Sequence, residues 1–98
     1  MELYLVKLKD THPMNYEDGV YTGFVVSCKS ENDARKIHPS GLYSYTEKEW
    51  KFIIKDRQST MYCPRNTTWV EPNEVSELIV KHIGLTLTCS EGEILLTS

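Results

Sequence analysis

The chain has 98 residues, 40% of them hydrophobic and 26% charged, with a net charge of −3. That is enough for one domain around one modest core. No apolar run approaches the roughly 20 residues of a membrane span. Glu2, Lys7, Lys9 and Asp10 interrupt the N-terminal apolar positions, which argues against a signal peptide. The chain therefore reads as a complete small protein of the cytoplasm.

Leu3 and Leu5 on one side, with Tyr4, Val6 and Leu8 on the other, predict a first strand with two apolar faces, hence an inner strand of a sheet. Residues 11–19, THPMNYEDG, read as a loop: Pro13 lacks an amide donor and Asp18-Gly19 favours a turn. Residues 20–28 predict a second strand, with Val20, Thr22, Phe24, Val26 and Cys28 on its core face. Strands joined by a loop of this length most simply pair antiparallel. Ser30 then offers its hydroxyl to the first turn of a helix, with Asp33 three residues on, as in a capping box. The helix is expected over 31–38, with Ala34, Ile37 and His38 on its buried side and Pro39 and Gly41 as stops.

Residues 43–70 obey two periods at once. Thr46 and Glu49 offer a second capping box, and Trp50, Ile53 and Ile54 recur at helical spacing; Trp50, Phe52 and Ile54 also alternate as in a strand. A short helix over 47–56 is the expectation, followed by a loop over 57–68. Pro72 to Glu77 reads as a turn or a single helical turn. Two strands follow, the last over 93–97 after a Glu91-Gly92 turn. The whole is an α+β domain: a mainly antiparallel sheet of about four strands, with one or two short helices on one face.

Catalytic and metal motifs are missing from this pattern. Cys28, Cys63 and Cys89 are odd in number and widely spaced, which suits free thiols in a reducing compartment. With His12, His38 and His82 they make no pair at zinc-ligand spacing, and no context marks a nucleophile. Packing is the simpler role for each cysteine. No phosphate-binding glycine loop is present. Asn66-Thr67-Thr68 matches a glycosylation sequon, which without a secretory signal reads as accidental. The expectation is a non-enzyme without a cofactor.

Charge and aromatics single out the middle of the chain. Residues 41–70 carry five basic and three acidic groups, whereas residues 71–98 carry one lysine against five glutamates. Tyr43, Tyr45, Trp50, Phe52, Tyr62 and Trp69 cluster in that basic stretch. Trp50, Phe52 and Trp69 are expected in the core, since tryptophan and phenylalanine are mostly buried. Tyr43, Tyr45, Lys48, Lys51, Lys55 and Tyr62 remain as the candidate partner-binding surface. Stacking on such aromatics beside lysines would equally suit a nucleic acid or nucleotide, so a module using residues 43–69 that way is the alternative. The acidic C-terminal third favours a protein partner over nucleic acid.

The stretch VYTGFVVSCKSENDARKIHP, then TWVEP and IGLTLTCSEGEILLTS, resembles small uncharacterised bacteriophage and prophage accessory proteins. Residues 43–65 lie outside that resemblance. It implies a phage origin and a protein that binds and blocks or modulates a host protein, including a defence effector, as anti-CRISPR proteins do.

Overall fold

The computed structural model describes residues 1–53 and 66–98. Six strands are described: β1 (Glu2–Lys7), β2 (Gly23–Cys28), β3 (Tyr43–Thr46), β4 (Glu49–Phe52), β5 (Ile79–Leu85) and β6 (Ile94–Thr97), with one helix, α1 (Glu31–Arg35). Short 3-10 turns occupy Pro13–Tyr16 and Pro72–Glu77. Four strands form one antiparallel sheet in the order β5-β1-β2-β6; β3 and β4 form a separate hairpin. The small α+β architecture is as expected, and β1 is an inner strand. Strand β2 starts three residues later than predicted, because Tyr21 and Thr22 direct their amides to Thr68 and Ser98 carbonyls.

Pleating divides the sheet into two faces. Tyr4 pairs with Val26 and His82, and Val6 with Phe24 and Val80, which puts these residues on one face. Val6, Phe24, Val26 and Cys28 are buried there with Leu8, Ala34, Trp69, Val70 and Leu78. Met14 and Val75 of the two 3-10 turns pack against the same cluster, as does α1 through Ala34. At Gly23 the strands approach closely: an added Cβ would lie 3.0 Å from the Val6 carbonyl oxygen and 3.2 Å from Lys7 Cβ.

The start of α1 is as its sequence dictates: Ser30 Oγ accepts the Asp33 amide at 3.1 Å. Its end is earlier than predicted. Ile37 leaves the helix to bridge to Ser44, and Pro39 disfavours helical backbone at His38. Arg35 then ties the helix to the C-terminal third. Its guanidinium donates to the carbonyls of Val75, Ser76 and Leu78, the last at 2.6 Å, and to Glu31 Oε1 at 3.1 Å. It thereby satisfies the carbonyl end of the Pro72–Glu77 turn.

Over its described residues, the predicted helix over 47–56 is replaced by a hairpin. Tyr43 faces Phe52 and Tyr45 faces Trp50, so period-2 packing wins over the helical spacing of Trp50 and Ile53. Glu47 and Lys48 form the two-residue turn with φ of 54° and 60°. That left-handed pair is what a hairpin turn demands, and neither residue is a natural choice for it. Thr46 and Glu49, read as a capping box, are cross-strand partners instead.

Candidate functional site

The structure sorts the six sequence-predicted contact residues unequally. Tyr43, Tyr45, Trp50 and Phe52 share the half-buried face of the hairpin. Their rings meet edge to face, Tyr43 with Phe52 at 5.7 Å and Tyr45 with Trp50 at 5.6 Å. The two tyrosines expected at the surface are thus partly engaged in packing. Lys36 Nζ from the end of α1 also sits over the Tyr45 ring, 5.7 Å from its centroid. Lys51 pairs with Glu47 at 3.2 Å on the hairpin's outward side, and Lys48 lies at the tip between Glu47 and Glu49. Carboxylates offset this part of the expected basic platform. Lys55 and Tyr62, with Cys63 and the loop predicted up to residue 65, lie outside the described residues.

A polar node that no sequence pattern announced holds the hairpin in place. His38 is 1% exposed, with its ring 4.5 Å from Tyr43 and 5.2 Å from Trp50. The Ser40 amide donates to Nδ1 at 3.2 Å, so the ring proton sits on Nε2 and is donated to Asn66 Oδ1 at 2.7 Å. Asn66 spends its own amide on the carbonyls of Trp69 (2.9 Å) and Val70 (3.3 Å). Trp50 Nε1 reaches the same Val70 carbonyl at 2.8 Å. Burial lowers the His38 pKa, partly countered by the Asn66 hydrogen bond. The sequon asparagine is therefore an internal fastener. An open recess of about 1090 Å³ adjoins it, with Trp50, Phe52, Asn66 and Pro72 among its walls.

The other candidate ligands and nucleophiles are dispersed. His12 caps the first 3-10 turn, accepting the Met14 amide at 3.1 Å, and reaches Glu74 at 3.5 Å. His82 contacts Glu2 and lies against Tyr4 on the sheet. Cys28 is buried, its thiol donating to the Ser30 carbonyl at 3.3 Å, and burial pushes its pKa up, away from a reactive thiolate. Among the described residues no three His, Cys, Asp or Glu side chains are placed to hold a metal ion. No helix among them is long and apolar enough to cross a membrane.

The surface that sequence reasoning missed is the second face of the four-stranded sheet. The register that buries Val6 and Phe24 turns Leu3, Leu5 and Val25 the other way, with Leu96 opposite Val25 and Ile79 opposite Lys7. Leu96 is 65% exposed and Ile79 38%, while Leu3, Leu5 and Val25 are half-buried. α1 and both 3-10 turns pack on the opposite face, so among the described residues no helix covers this one. At the Ser27 end described chain folds over it, where the Ser27 hydroxyl donates to the Ser90 carbonyl. Leu3, Leu5, Val25 and Leu96 are thus neighbours in one apolar patch, with Ile79 set beside it between Lys7 and Lys81, an arrangement of a kind that marks interaction surfaces. The signal was present: β1 is apolar on both faces, and among the described residues no helix covers its outward side.

The chain matches no protein-family model, no curated protein and no solved structure.

Proposed function

We propose that this chain is a non-enzymatic accessory protein that acts by binding another protein through the open face of its sheet. The observation that carries this reading is the set of apolar side chains Leu3, Leu5, Val25, Ile79 and Leu96, which no helix among the described residues covers while the opposite face is packed. Burying such side chains against a partner supplies the main driving force of association. In keeping with the sequence's resemblance to phage accessory proteins, the partner proposed is a host protein of the cytoplasm, such as a component of a defence system. Binding alone suffices to inhibit or modulate it. Nucleic-acid binding by the hairpin gains less support, since Lys51 is paired with Glu47 and the aromatic rings are engaged in packing.

The test is affinity capture from host lysate with the wild type and with Leu96→Asp. The wild type is expected to retain one host protein that Leu96→Asp loses, at an unchanged thermal midpoint. Equal retention by both proteins, or loss on Tyr45→Ala and Lys48→Glu instead, would overturn the reading.

A further inference from the structure

Resting on that reading, we propose that the open sheet face receives an acidic amphipathic helix of the partner protein. The charged side chains that the described strands present on this face are of one sign, while Glu91 and Glu93 belong to the segment folded over its Ser27 end. Lys7 and Lys81 are the charged strand residues pointing to it, and they are diagonal neighbours, since Leu5 pairs with Lys81 and Lys7 with Ile79. Both are exposed, and neither has an ion pair among the described residues. None of the strand residues on this face is acidic. An apolar patch of Leu3, Leu5, Val25 and Leu96 flanked by Lys7 and Lys81 is complementary to an apolar stripe bordered by carboxylates.

The dimensions suit one helix. The six residues of β1 span about 20 Å, and four strands at about 4.8 Å spacing place the outer strands about 14 Å apart. A helix of about fourteen residues is about 21 Å long and 10–12 Å wide, which fills that area. Across the sheet the half-buried Leu5 and Val25 lie between Lys81 on one edge strand and the more exposed Leu96 on the other. A second copy of the chain fits less well, because it would bring lysines to an interface where these strands offer no carboxylate. An anionic membrane also fits less well: the strands place no aromatic anchor on this face, and the chain is itself net negative.

The probes are two fluorescein-labelled fourteen-residue peptides with the same leucine stripe, one flanked by Glu and one by Lys, titrated by anisotropy. The Glu-flanked peptide is expected to bind about tenfold tighter than the Lys-flanked one at low salt, the gap narrowing as salt rises. Lys7→Glu with Lys81→Glu should reverse the order while circular dichroism stays unchanged. Equal affinities, or an order unmoved by that reversal, would overturn the proposal. So would preferential binding to phosphatidylserine vesicles, or dimerisation that Leu96→Asp abolishes. Should Leu96→Asp lose both peptides while charge reversal changes nothing, the binding face stands and the acidic helix falls. Should Leu96→Asp change neither, both readings fall.

Discussion

Phe24 and Val25 are neighbours in β2, yet they belong to opposite faces of the sheet with different fates. Phe24, 2% exposed, meets Trp69 edge to face at 5.5 Å in the core. Val25 lies beside Leu5 and Leu96 on a face that no helix in the described chain covers. The same pleat, one residue apart, separates side chains that hold the fold from side chains that the fold leaves available. Fully burying a leucine is worth about 1.5–3 kcal/mol. The free protein forgoes most of that at Leu96, and a partner would recover it.

Truncation should expose this contrast most strongly. Phe24→Ala is expected to cost about 3–5 kcal/mol in denaturant unfolding. Leu96→Ala should stay within about 0.5 kcal/mol, as for an exposed position. Similar losses at the two sites would erase the distinction between the faces. Next in size is Arg35→Ala, which leaves the Val75 and Leu78 carbonyls without their charged donor and should cost about 1.5–3 kcal/mol. A null result there would free the Pro72–Glu77 turn, and with it the start of β5, from dependence on α1.

His38 extends the comparison to the hairpin through pH. Burial favours its neutral form, so its pKa is lower folded than unfolded. Its contribution is fully present above the unfolded value of about 6.5 and is lost as pH falls through the folded value, because the unfolded chain takes up the proton first. The fall in stability between pH 7 and pH 5 should therefore be shallower in His38→Phe than in the wild type. An identical slope would remove His38 from the account. The smallest effect is at the hairpin tip. Lys48→Gly relieves a side chain at φ 60° and should stabilise the protein by about 0.5–1 kcal/mol; destabilisation would argue against a left-handed turn.

What could be read from the sequence was local. Ser30 capping Asp33, the inner position of β1 and the Pro72–Glu77 turn each depend on a few adjacent residues, and each is found. The hairpin was hidden because Trp50 serves both periods, and because Glu47-Lys48 lacks the Gly or Asn that announces a left-handed turn. The His38–Asn66 fastener joins residues 28 apart, beyond the reach of any periodicity. The open face was misleading for another reason: apolar residues on both sides of β1 predict burial on both sides, unless one side awaits a partner.

The division of the sheet into a closed and an open face can be measured directly by methyl NMR on the dilute protein with a soluble paramagnetic agent. The methyls of Leu96 and Ile79 should relax strongly, those of Leu5 and Val25 measurably, and those of Val6, Val26 and Leu78 least. Protection of Leu96 and Ile79 equal to that of Val6 and Val26 would show the outer face to be closed in the free chain and would contradict the account.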